Sequence, residues 1–206
     1  MKPVPIGMLA SGGGRTVENM VAACREGRVP ARVVGVVSST SRAGVLERAR
    51  RLDLPATVVR PRDHTDPAAL GEASFAFLRE RGARWVLFGG WLAHLLPPPD
   101  FAARTLNIHP ALIPAFCGKG MYGHHVHQAV LAAGVEVTGC TVHFVDELYD
   151  HGPIVHQVAV RVEPGDDAQT LADRVFAAEK EAYPRALAML LTGRARLVGG
   201  RVVREP

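Results

Sequence analysis

Short apolar runs of strand length alternate along the chain with segments whose apolar residues recur at helical spacing. Pro5 to Ala10, Arg32 to Ser38, Ala56 to Val59 and Trp85 to Phe88 read as strands. Between them, Thr16 to about Glu26, Ala43 to Leu52 and the amphipathic stretch Pro67 to Arg81 read as helices, with Thr16 as the N-cap of the first. Strand and helix in regular alternation predict the α/β class, a largely parallel sheet joined by crossover helices.

After the break Pro97-Pro98-Pro99, Arg104 to His109 reads as a strand that Pro110 ends. Ala111 to Gly123 is rich in Gly and Pro and reads as a loop, followed by a helix from about His125 to Ala133. Val137 to Val145 and Ile154 to Val162 are alternating β-branched runs suited to antiparallel pairing. Ala168 to Leu191 is mostly helical, and Leu197 to Val203 reads as a small hairpin about Gly199-Gly200. With no repeat, low-complexity tract or linker, residues 1–206 are expected to form a single domain. Within it, the glycine-rich turn falls in a half of about 1–100 and the Asn-x-His segment in a half of about 101–206.

Composition narrows the class. With 48% hydrophobic and 21% charged residues the chain is globular rather than disordered. No apolar run reaches membrane-spanning or signal-peptide length, so a cytoplasmic protein without membrane contact is expected. Cys24, Cys117 and Cys140 show no C-x-x-C spacing, which suggests reduced thiols and no zinc site. The net charge of +4 is carried almost wholly by arginine, since Lys2, Lys119 and Lys180 are the only lysines. Scattered arginine suits small anions, whereas nucleic-acid binding would need aromatics interleaved with a basic run.

Two segments carry candidate chemistry. Gly12, Gly13 and Gly14 stand between the first strand and the first helix, where free backbone N–H groups and the helix dipole favour a phosphate. The dinucleotide fingerprint is not met, because Val17 takes the place of its third glycine and Val37-Ser38-Ser39 lacks the ribose-binding acid. A Walker lysine is missing too, so a single phosphate helped by Arg15 is the better reading. A turn serving backbone geometry alone would look the same.

The second segment is Asn107-Ile108-His109, at the C-terminal end of its strand, the edge where open α/β sheets bind ligands. A spacing of two on a strand turns Asn107 and His109 to one face, so both can address one carbonyl. Acyl transfer to an amine needs oxyanion donors and proton management. A carboxylate beside the imidazole would hold it charged near neutral pH, and Asp150 is the candidate. Taken alone, His109 reads equally as a turn histidine.

Taken together, Ser11-Gly-Gly-Gly14, Gly89-Gly-Trp-Leu92, Leu106-Asn-Ile-His-Pro110, Thr138-Gly-Cys-Thr-Val-His-Phe-Val145, Asp150-His-Gly-Pro153 and Glu179 ahead of Tyr183-Pro184 resemble the folate-dependent glycinamide ribonucleotide formyltransferases. The likeness covers nearly the whole chain. It implies a Rossmann-like formyltransferase fold, with a mostly parallel seven-stranded sheet flanked by helices. It further implies 10-formyltetrahydrofolate as co-substrate without a metal, and glycinamide ribonucleotide as acceptor. It makes Asn107, His109 and Asp150 the catalytic trio, with His143 in support. The substrate phosphate falls on Gly14, Arg15 and Thr16, and its ribose near Glu179. Folate falls on Leu92, Ala93, His94 and Leu95, on Asn107, and on the loop Asp146 to Asp150. A monomer or homodimer is expected.

Departures from the family pattern are visible. Arg15-Thr16 stand where Ser-Asn is common, and no arginine matches the one usual before the third helix, around Asp63 to Asp66. Phe116 to Gly123 replaces a shorter Pro-Gly stretch, so a reshaped lid is expected. His124, His125 and His127 with His109 could suggest a metal, against a plainer reading as lid and helix start. Trp91 suits core and cofactor equally. Other readings are a formyl-folate hydrolase using water, a formyltransferase for an amino sugar or methionyl-tRNA, and a non-catalytic nucleotide-binding module.

Overall fold

In the computed structural model, which describes residues 2–205, nine strands and five α-helices follow the predicted order. These are β1 (Val4–Ala10), α1 (Arg15–Arg25), β2 (Ala31–Ser38), α2 (Gly44–Arg51), β3 (Ala56–Val58), α3 (Pro67–Glu80), β4 (Trp85–Phe88), β5 (Thr105–His109), α4 (His124–Ala133), β6 (Val137–Phe144), β7 (Ile154–Arg161), α5 (Ala168–Leu191), β8 (Ala195–Val198) and β9 (Arg201–Arg204). Hydrogen-bonded strand order is β3-β2-β1-β4-β5-β6-β7, with β8 and β9 forming a separate hairpin. The fold is therefore the mostly parallel, seven-stranded, helix-flanked sheet of the expectation.

The chain divides into two compact units, Met1–Leu106 and Asn107–Pro206. In the first, β1 runs parallel to β2 and β4, and β2 parallel to β3. Strands buried on both faces read as unbroken apolar runs, which is why Gly7 to Ala10 and Val34 to Ser38 are buried without alternation. Leu70, Phe75 and Leu78 of α3 are buried, while Phe77 is half-buried under the Arg81 guanidinium, 3.6 Å from its ring centre. In the second unit β6 and β7 pair antiparallel, with a register slip between Val142 and His143.

The first helix begins differently from its prediction. Its N-cap is Gly14, at φ 79°, with no side-chain cap; Thr16 lies inside the helix and packs against Gly89. A left-handed backbone at Gly14 turns the chain sharply enough to start the helix one residue earlier, which the hydroxyl preference at N-caps did not anticipate.

Candidate active site

The N-terminal unit builds its glycine loop from backbone contacts. The Gly12 carbonyl accepts from the Val45 N–H (3.0 Å) and the Gly13 carbonyl from Arg48 Nε (2.8 Å), while Arg48 also pairs with Glu18. In a trans peptide the N–H points away from the carbonyl, so the N–H groups of Gly13 and Gly14 face away from α2. A Cβ at Gly12 or Gly13 would meet nothing within 4 Å, whereas one at Gly14 would lie 2.6 Å from Val45. The open side thus combines N–H donors with the start of an eleven-residue helix, a fit for an anion.

The stretch after β4 is irregular. Leu92 is exposed and its N–H bonds Ser11 Oγ (3.1 Å); Ala93 and His94 are half-buried, and Leu95 is buried. Trp91 is buried, and its indole N–H meets no acceptor among the described residues.

The C-terminal unit brings Asn107, His109, His143 and Asp150 together. Pro110 ends β5 directly after His109, and the register slip in β6 falls at His143. Asp150 sits in the turn before β7 at φ 51°, a region Asp tolerates better than most residues. Two residues on, a Cβ on Gly152 would lie 2.0 Å from the Phe144 carbonyl, so only glycine lets this turn close on β6.

Asp150 Oδ2 lies 3.4 Å from His109 Nδ1 and accepts from the Gly118 N–H at 3.0 Å. Its Oδ1 accepts from Asn107 Nδ2 at 3.2 Å and approaches His143 Nε2 at 3.7 Å. His143 Nδ1 lies 2.8 Å from the Phe144 carbonyl and must carry the proton there, which leaves its Nε2 to accept from Asn107 Nδ2 (3.1 Å). Both amide hydrogens of Asn107 are therefore committed within the cluster. His109 Nε2 lies 2.8 Å from the Phe116 carbonyl, and since a carbonyl only accepts, Nε2 bears the proton.

Charge states follow from burial and neighbours. Burial lowers the His109 pKa by more than Asp150 and the Phe116 carbonyl raise it, so the imidazole is neutral at neutral pH. This reverses the expectation that Asp150 keeps it charged: with its side chain only 4% exposed, desolvation outweighs the carboxylate. For Asp150 the burial penalty is outweighed by hydrogen bonding, the Gly118 N–H at 3.0 Å among the donors, and the carboxyl is held below its ordinary value.

Sequence reasoning missed the backbone of Phe116 to Gly118, whose carbonyl and N–H close on the trio. Phe116 has φ 50°, uncommon for a bulky residue. Its one visible signal was the Gly-rich departure from the family pattern. Beneath it, Thr141 Oγ1 donates to the Ala111 carbonyl (2.7 Å) and accepts from the Ile113 N–H (3.1 Å) and Gln157 Nε2 (2.9 Å). Asp146 is tied to His151 Nδ1 (2.7 Å) and to the Leu148 N–H. Glu179 is half-buried on α5, close enough to Cys140 to help burial raise that thiol to about 12. His127 is buried with Nδ1 unpartnered among the described residues, unlike a lid residue. No group of three or more His, Cys, Asp or Glu among the described residues is arranged to hold a metal ion. No helix among them is long and apolar enough to cross a membrane.

Comparison with known proteins adds independent findings. The family described as formyl transferase matches residues 5–187. The chain is 40% identical over 186 residues to the chloroplastic phosphoribosylglycinamide formyltransferase of Arabidopsis thaliana, covering 86% of this chain but only 62% of that protein's length. It is 31% identical to the phosphoribosylglycinamide formyltransferase of Haemophilus influenzae, covering 93% and 89% of the two chains. Glycinamide ribonucleotide transformylase 1 from Symbiobacterium toebii superposes with a TM-score of 0.89 at 37% identity, covering 100% of this chain and 95% of that one.

Proposed function

The chain belongs to the formyl transferase family, and from that premise we propose that it transfers the formyl group of 10-formyltetrahydrofolate to the primary amine of glycinamide ribonucleotide, a step of purine synthesis. One observation carries the reading: Asp150, distant in sequence, meets the neighbouring pair Asn107 and His109 at 3.2 and 3.4 Å through a half-buried carboxylate held below its ordinary pKa. A protein that only bound nucleotides would have no use for that cluster.

In this reading the Phe116 carbonyl marks where an oxygen accepts from His109 Nε2, and the formyl oxygen takes its place when the lid moves. The amine nitrogen bonds the formyl carbon, and the oxygen becomes an oxyanion held by Nε2–H. Asn107 reinforces it by giving up one of its contacts within the cluster. The proton the amine sheds passes to the Asp150–His109 pair, whose carboxylate stabilises the imidazolium so formed. As the carbonyl reforms, the bond to the folate nitrogen breaks and that nitrogen receives the proton. Gly14, Arg15 and Thr16 hold the substrate phosphate and Glu179 the ribose. Leu92 to Leu95 and Asp146 to Asp150 hold the folate. The test is a formyl-transfer assay with glycinamide ribonucleotide, its dephosphorylated form and an amino sugar. Turnover should require the phosphorylated amine; equal turnover without the phosphate overturns the acceptor assignment.

A further inference from the structure

A cavity of about 560 Å³ in the N-terminal unit is lined by Ser39, Thr40, Ser41 and Arg42, from the loop after β2, and by Arg60, Pro61 and Arg62, which follow β3. Both segments leave the carboxyl ends of parallel strands, the edge at which open α/β sheets take ligands. The cavity lies beside the glycine loop without being part of it, since the Ser39 hydroxyl bonds Ser11 Oγ at 2.8 Å.

Its charge is poorly compensated. Several surface arginines elsewhere hydrogen-bond carboxylates closely, as Arg28 does Glu26 (2.8 Å), Arg50 Glu47 (2.8 Å) and Arg79 Asp100 (3.0 Å). Arg60 and Arg62 share the single carboxylate of Asp63, each at 3.8 Å, too far for a hydrogen bond. Arg42 forms no ion pair among the described residues. Three arginines thus line the groove and two of them share one carboxylate, an excess that matches a phosphomonoester carrying about −1.5 to −2 charges at neutral pH. Thr40 Oγ1 accepts from the Arg42 N–H (3.4 Å), which leaves its hydroxyl proton to donate outward beside that of Ser41.

We propose that this groove is a second anion site, separate from the glycine loop, that takes the phosphomonoester of a nucleotide. The volume exceeds that needed by a free phosphate ion and falls in the usual range for small-molecule sites, roughly 300–1,000 Å³. The loop after the second strand is also where doubly wound folds meet a nucleotide's ribose, using an acid for a free hydroxyl and an arginine for a 2′-phosphate. Here Ser39-Thr40-Ser41-Arg42 supplies hydroxyls and arginine and no acid. The site does not depend on the formyl-transfer reading.

The test is amide-resolved NMR titration of the full chain with adenosine 2′-monophosphate, adenosine, inorganic phosphate and a tri-γ-glutamate peptide, repeated on R42Q/R60Q/R62Q. The nucleotide should shift the amides of Ser39 to Arg42 and of Arg60 and Arg62, more tightly than inorganic phosphate and far more than adenosine. The exposed triple variant should keep its thermal unfolding midpoint and lose that affinity by at least about tenfold, as removal of charge-assisted bonds requires. Its response at Gly12 to Thr16 and its formyl-transfer rate should not change. Silent groove amides, an unchanged titration in the variant, or tighter binding of the glutamate peptide overturns the proposal. Inorganic phosphate binding as tightly as the nucleotide overturns its nucleotide half.

Discussion

His109 Nε2 donates a 2.8 Å hydrogen bond to the carbonyl oxygen of Phe116. That contact fixes which nitrogen of the imidazole bears the proton and turns the lone pair of Nδ1 toward Asp150, 3.4 Å away. In the mechanism proposed above, this contact gives way as the formyl oxygen takes the place of the Phe116 carbonyl at Nε2.

The first prediction concerns the pair itself. Burial already holds the His109 pKa below its ordinary value, with Asp150 pulling the other way, so Asp150→Asn should lower it further. NMR titration of the His109 ring checks this. Formyl transfer should fall by about 10²-fold or more, with KM little changed, because the charge is needed only as imidazolium forms. A histidine that titrates above its ordinary value in the parent protein would refute the neutral resting state.

Asn107→Ala removes the proposed oxyanion donor and, with it, one partner of Asp150. By comparison with single donors at other oxyanion sites the rate should drop about 10²–10³-fold. If steady-state kinetics showed only a raised KM, Asn107 would be a binding residue instead.

Gly13 and Gly14 should respond differently to alanine. At Gly13 the new Cβ enters open space on the side read as the phosphate's, so stability should hold while KM for the phosphorylated amine rises and that for folate does not. At Gly14, with φ 79° and Val45 close by, thermal unfolding should register a loss of about 1–2 kcal/mol for the left-handed backbone alone. A Gly13→Ala enzyme with an unaltered KM would remove the phosphate from this loop.

Amine-free consumption of formyl-folate separates transferase from hydrolase. Because the proposed nucleophile is an amine positioned through its phosphate, deformylation without the amine should be slower than transfer by orders of magnitude. Comparable rates with and without amine, followed by absorbance of the folate product, would favour the hydrolase.

Acid should destabilise the fold through its buried and half-buried imidazoles. His109, His127 and His156 all have lowered pKa values, burial being the main cause in each. The unfolded chain therefore takes up protons first as pH drops below about 6.5. Stability is fully present above that value and is lost as pH falls toward the folded values. His127→Gln should flatten this slope in urea unfolding between neutral pH and about pH 5; an unaltered slope would show that His127 titrates normally.

Much of this protein was determined by sequence alone. Apolar period located the strands and α-helices to within a residue or two at most ends, because parallel strands buried on both faces leave continuous apolar runs and their crossover helices leave a 3.6-residue stripe; the short 3-10 turns at Pro61–Asp63 and Ala102–Arg104 carry no such period. Pro110 after Asn107-Ile108-His109 likewise dictated that two polar side chains share one face at a strand's end. Tertiary structure alone decided what those side chains meet. The order β3-β2-β1-β4-β5-β6-β7, the left-handed cap at Gly14 and the closure of Phe116 to Gly118 on Asp150 depend on non-local backbone contacts. So does the charge of His109. Proximity of a carboxylate argued for an imidazolium, but desolvation depends on how completely the surrounding chain excludes water, and no local spacing encodes that.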